Sequence, residues 1–298
     1  MRLALSMLVV CLVARDAFAA KSNQLRPTPS PIQNSRLDAG QWLFAPRFVY
    51  TNYSDTTPLP TTPATERKYA ISSLGLQLEA QIGLARWFSL TLGLEGYAKI
   101  GSITGPSPGD ITQNTEADVT GYAFKLAVQT NFRVFSWGPD RGQPNPGNIW
   151  IYVYARGIAD LFRQQQVEPL ARTDFAEQSF EYRAGVAVHL HIWRGIFIAA
   201  FGGVDGVVFG GNRTDTAPAG TTTFASAETP FPYFGGDLLW APPWSGGRFD
   251  DAISLGAILA LTSQDTTGYG GTQWTINLGY SFVFDWQKKE PAASMSTP

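Results

Sequence analysis

Two histidines, His189 and His191, are the whole histidine supply of this 298-residue chain, and they stand two positions apart in "AVHLHIW". On an extended strand that spacing puts both imidazoles on one face. Such a pair can hold part of a metal site or serve an acid/base pair. A metal needs a third or fourth ligand, and none stands nearby in the sequence, so the spacing predicts no metal centre. Around them recur isolated charges, each between apolar neighbours. The acids are Glu79, Glu95, Asp160, Glu181 and Asp205; the bases are Lys99, Lys125, Arg133, Arg156 and Arg183. Their signs nearly balance. They either pair with one another in a closed interior, because an unpaired buried charge is expensive, or line a water-filled path that sorts solutes by charge.

The segments that carry these residues alternate with period two. Leu74, Leu76, Leu78, Ala80, Ile82 and Leu84 oppose Gln77, Glu79 and Gln81. After the short turn Ala85-Arg86, Phe88, Leu90, Leu92 and Leu94 oppose Thr91, Glu95 and Lys99. Two long strands joined by so few residues form a tight hairpin. Further strands are predicted over about 41–53, 119–134, 149–161, 180–193, 196–209, 251–261 and 272–286. An eighth strand in chain order falls within "PFPYFGGDLLW". Pro46 weakens the first of these, since proline donates no ladder hydrogen bond. The count is ten strands, with eight or twelve as alternatives. Polar segments separate them at 51–67 and 101–118, and a Thr/Ala/Gly-rich loop is expected at 210–229.

Composition narrows the surroundings. Net charge is -2 and charged residues make up 15% of the chain, which argues against a nucleic-acid partner. Beyond residue 19 no window is long and apolar enough for a membrane helix. The outward-facing positions of the best strands carry no charge, whereas their opposite faces hold Glu79, Glu95, Lys99, Lys125, Glu181 and Arg183. A Lys or Arg facing lipid at the bilayer midplane costs roughly 2–4 kcal/mol, which explains that contrast. A secreted β-sandwich would also bury one face of each strand. Its strands usually run only about 5–6 residues, however, and a tilted spanning strand needs about 9–11, as these do. Trp42, Trp87, Trp150, Trp193, Trp240 and Trp286 fall near strand ends, where interfacial girdles are expected.

The amino terminus reads as a removed secretory signal over 1–19: Arg2, an apolar run from Leu3 to Val13, and Ala17-Phe18-Ala19. Cys11 lies inside that run, so the mature chain has no cysteine and no disulfide. Residues 20–40, Pro- and Ser-rich, read as a disordered periplasmic leader. Residues 287–298 read as a disordered tail.

The last strand, "GYSFVFDW", resembles the assembly signal of bacterial outer-membrane β-barrel proteins, with Gly279, Tyr280, Phe282, Phe284 and Trp286 in place. It departs from that pattern in the twelve residues that follow Trp286. The resemblance covers about 41–286. It implies an all-β, antiparallel, up-and-down transmembrane barrel in the outer membrane, with lipid and the barrel-assembly machinery as partners.

Ten-stranded omptin proteases pair an Asp with a His two residues along one strand, but position 189 here is His. The outer-membrane phospholipase pattern of His followed by Ser-Asn is absent. No enzyme and no cofactor are therefore expected. The sequence favours a narrow passive channel for small solutes, with a non-conducting structural or adhesive barrel as the alternative. The signal reading has a direct check. Intact mass of protein taken from the outer membrane should correspond to a chain beginning at Ala20, and a mass that retains residues 1–19 would refute it.

Overall fold

In the computed structural model, the residues described are 37, 39–59, 65–107, 110–138, 147–168, 171–193, 195–209, 212–217, 220–225, 230–240, 251–261 and 272–285. The expected signal, most of the leader and the tail lie outside them, as does Trp286. Twelve strands form one antiparallel sheet: β1 (Gln41–Leu59), β2 (Thr65–Ala85), β3 (Phe88–Ser107), β4 (Asp110–Trp137), β5 (Ile149–Glu168), β6 (Ala171–Trp193), β7 (Ile196–Phe209), β8 (Asn212–Ala217), β9 (Gly220–Ala225), β10 (Phe231–Trp240), β11 (Asp251–Leu261) and β12 (Thr272–Asp285). Ten of them close a ring in the order β1 to β7, then β10, β11 and β12, which pairs back onto β1. The short hairpin β8–β9 is attached to the outer end of β6.

Register fixes the dimensions of this ring. From Asp160 the paired positions run through Lys125, Glu95, Gln77, Arg47, Gly279, Ser254, Leu239, Phe197 and His191. They arrive back on the first chain segment at Asn148, which accepts the His191 N–H at 3.0 Å. One circuit therefore slips twelve residues, from 160 to 148. Ten strands with that stagger tilt about 40° from the axis and enclose an interior close to the width that side chains alone fill.

Lipid-facing and interior positions alternate as the period predicts. Phe48, Leu74 and Ile100 are each more than 60% exposed on the outside, while Arg47, Val49, Ser73 and Lys99 are buried inside. Trp87, Trp193 and Trp240 stand on the outside at the short-turn end. Trp150 does not join them. It is buried in the interior with Tyr152, Tyr154, Phe201 and Tyr233, because its even position on β5 shares the inward face with Arg156.

Two further expectations are corrected. Strand pairing continues through most of 51–67 and 101–118, and the loop at 210–229 holds β8 and β9. Six strands, β1–β6, run 19–28 residues, whereas β10 and β11 run 10 and 11. Excursions beyond the lipid are the longer ones on the extracellular side of such barrels, so β1–β6, whose extra length lies at the end opposite the turn at 86–87, rise on that side as a half-cylinder above a rim set by β10 and β11. Pro46 is accommodated as its chemistry requires: pairing of β1 with β12 lapses at Ala45 and Pro46 and resumes in the same register at Arg47.

A recurring device holds the wall together. Aromatic side chains lie over glycines directly opposite on the neighbouring strand: Tyr97 over Gly75, Tyr154 over Gly185 and Phe201 over Gly235. A Cβ built on Gly185 would stand 2.5 Å from the Tyr154 hydroxyl. Gly185→Val should therefore cost about 1–3 kcal/mol through overpacking, read as a lowered urea midpoint in lipid vesicles. Gly96→Ala, whose added Cβ meets nothing within 4 Å, should leave that midpoint unchanged.

Candidate functional site

The interior is the site. Eleven of the twelve polar residues singled out by alternation are buried there; Arg133 is half-buried beside a register shift between Arg133 and Phe135. Nine of the interior charges fall into three groups, each built by strands whose inward positions come into line; Lys99 and Asp237 are buried outside these groups.

The first group crosses the lumen. Arg156 on β5 donates through Nη1 to Glu79 Oε1 on β2 at 2.6 Å and through Nη2 to Glu95 on β3. Glu79 also faces Arg47 Nη2 at 3.3 Å and accepts from Gln77 Nε2 at 2.7 Å. Glu95 accepts from the Tyr97 hydroxyl at 2.8 Å. Gly93 leaves room for the Arg156 guanidinium, 3.0 Å from where its Cβ would be. Toward the periplasm the network continues in uncharged form, with Gln129 donating to Asn131 at 2.6 Å and Gln81 to Ser89 at 2.7 Å.

Lys125 on β4 centres the second group, 3.1 Å from both Asp160 and Glu181. In the third, Arg183 on β6 donates through Nη2 and Nε to one oxygen of Asp205 on β7, at 2.5 and 3.1 Å. Its guanidinium lies 5.3 Å above the Tyr233 ring on β10, a cation–π contact. Tyr233 is in turn hydrogen-bonded through its hydroxyl to Tyr154, which spans the lumen from β5.

Opposite these long side chains the wall is lined by short ones: Ser254 and Gly256 on β11, and Thr275, Asn277, Gly279 and Ser281 on β12. Short side chains thus predominate on the inward faces of β11 and β12, with Ile258 as a large exception. The result is a lumen without slack. Arg47 and Glu181 have 0% exposure, and Lys125 and Arg183 1%.

The histidines sit at the periplasmic end, beside the turn at 194–195. His191 donates from Nε2 to the Trp193 carbonyl at 2.6 Å and stacks on Phe197 at 4.3 Å. His189 meets Tyr152 edge-on at 5.5 Å. Among the described residues no group of three or more His, Cys, Asp or Glu could hold a metal ion. Arg47 and Asp237 are the charged interior residues that the sequence reading missed. Arg47 has the odd position expected of an inward residue on β1 but stands next to Pro46, and Asp237 lies in the glycine-diluted β10.

No protein family matches the sequence, and no curated protein does. Solved structures do match. The outer membrane protease OmpT of Escherichia coli aligns over 88% of this chain and 99% of its own, with a TM-score of 0.56 at 8% identity. This chain folds as a bacterial outer-membrane β-barrel. The translocator domain of the autotransporter NalP from Neisseria meningitidis is more distant, with a TM-score of 0.48, 12% identity, and coverage of 82% and 90%. At such identities the likeness is one of fold. The apolar outer belt gives the barrel its place in the outer membrane, since charges are confined to the interior and the regions beyond the lipid.

Removing Glu79 from this barrel would strip a partner from Arg47 and Arg156 together. Glu79→Ala should destabilise it by about 3–5 kcal/mol, the cost of leaving buried charge unpaired. Gln81→Ala, which loses one neutral bond, should cost about 1 kcal/mol. Urea unfolding from vesicles, followed by the heat-modifiable gel shift, measures both; equal midpoints would refute the ion-paired core.

Proposed function

We propose that the protein is a non-conducting outer-membrane barrel that acts through its extracellular half, in binding rather than transport. The observation that carries this is the lumen itself. At mid-height it is braced by Arg156–Glu79 and Arg156–Glu95, and by Tyr154–Tyr233, with Arg156, Glu79 and Glu95 each no more than 5% exposed. A hydrated ion has no way past side chains that a water molecule does not reach. Conversely, β1–β6 continue well past the membrane as paired sheet. That sheet has no structural role within lipid, and it offers a large surface to the outside. No catalytic role is assigned to the histidines, which are packed against aromatic rings at the periplasmic end.

A second reading, a narrow channel for small polar solutes, has one observation in its favour. Gly256 leaves a notch in the short-chain wall, and the Asp237 carboxylate and Asn277 amide reach into the space its Cβ would fill. Both atoms of that amide are buried without a hydrogen-bond partner. Such a notch is where a path would open if the cross-braces parted.

Planar-bilayer conductance of the refolded protein decides between the readings. Wild type should be silent, and the Arg156→Gly, Arg183→Gly double variant should show discrete steps. Steps in wild type that disappear in Gly256→Val would overturn the proposal in favour of the channel.

A further inference from the structure

Within the lipid the sheet has no edge, because β12 pairs with β1. Above the rim it has two. On one side, β1 beyond Ser54 pairs with β2 alone among the described residues, since its pairing with β12 ends at Thr272. On the other, the outer end of β6 extends past its pairing with β7, which stops at Phe209, and is joined instead by β8. β8 is covered by β9, and among the described residues β9 pairs with β8 only. Among the described residues the extracellular wall is therefore an open sheet bounded by the outer end of β1 and by β9.

The two edges differ in sequence. The outer end of β1, Asp55–Leu59, includes an acidic residue and Pro58 in its sequence. Charged residues and proline are the means by which natural edge strands resist further pairing. β9, "GTTTFA", has neither, and is rich in β-branched threonine. Alternate residues of an antiparallel strand turn both N–H and C=O toward the same side, so half of β9 presents unpaired backbone outward. We infer that β9 is a strand-addition site, and that its occupant is an extended, uncharged segment of another polypeptide outside the cell. Main-chain hydrogen bonds would provide most of the affinity in this mode of recognition.

A second copy in the same membrane does not fit this edge. Two barrels related by an axis along the membrane normal have their strands tilted in opposite senses where they face each other. At about 40° of tilt each, the edge strands would cross near 80° and could not pair along six residues. The inference rests on the extracellular working surface proposed above, and the experiment separates the two.

The probe is a fluorescein-labelled peptide of ten alternating threonines and valines, with two lysines at each end for solubility. It is titrated by anisotropy into full-length protein refolded in nanodiscs. Saturable binding is expected. It should be lost when every amide of the peptide is N-methylated, and should fall at least tenfold in either Thr222→Pro or Thr223→Pro, whichever carries the outward N–H. Thr57→Pro, on the other edge, should bind as wild type. The heat-modifiable gel shift verifies that each variant is folded.

Equal binding of the N-methylated peptide, equal binding by both β9 proline variants, or no binding by folded wild type would overturn the assignment. Light scattering that showed a dimer abolished by the same variants would also overturn it, assigning the edge to a second copy. Conductance of the same preparations reports on the lumen independently. A silent bilayer with no peptide binding would remove the edge assignment and leave the sealed barrel standing.

Discussion

Every peptide N–H and C=O in the hydrocarbon must be paired within the protein, since lipid offers no partner. That single demand sets the rest of this structure. A sheet satisfies it only by closing, and closing ten strands with a slip of twelve residues fixes the tilt and the radius. At that radius, side chains from opposite walls meet. The interior therefore has to be packed like a protein core, although it is built from the polar half of each strand.

The chosen solution is unequal sharing. Arg156 reaches from β5 to β2 and β3, and Tyr154 from β5 to β10, while the inward faces of β11 and β12 are mostly Gly, Ser and Thr. Ionic groups in such a place are tolerated only when paired, and each charge here that faces two of opposite sign shows how few are needed. Glu79 serves both Arg47 and Arg156; Lys125 serves both Asp160 and Glu181. The glycines that lie under aromatic rings follow the same logic one layer out, in the wall rather than the lumen. Gly75 and Gly185 give Tyr97 and Tyr154 a flat surface on which to lie, which turns their hydroxyls toward Glu95 and Tyr233.

How much of this could be read in the sequence depends on what each residue faces. Where one side of a strand meets lipid and the other the lumen, the contrast is maximal. Eleven of the twelve residues that alternation singles out between Glu79 and Asp205 are buried, and β7 and β11 have the bounds the period predicts. Above the membrane the outer face meets water, the contrast vanishes, and strand continues through residues that look like loop. Ser54–Leu59, Asp110–Asp118 and both strands of the β8–β9 hairpin were lost for that reason. Trp150 misled because tryptophan near a strand end suits an interface, yet parity puts it inside with Arg156. The pairing pattern itself was not legible at all: that Arg156 meets Glu79 and not a nearer acid depends on tilt and register, which no local window contains.

The constraint that begins the structure also ends where the lipid ends. Once β1–β6 pass the rim of β10 and β11, water can satisfy an open edge, and the ring need not close. β6 nevertheless acquires a partner there in β8, which transfers the free edge outward to β9 rather than removing it. The opposite edge, on β1, includes Asp55 and Pro58, residue types that discourage further pairing. An edge that is extended on one side and blocked on the other gives the extracellular wall a direction. Pairing propagates from the sealed barrel through β6 and β8 to a single strand from which it can go on.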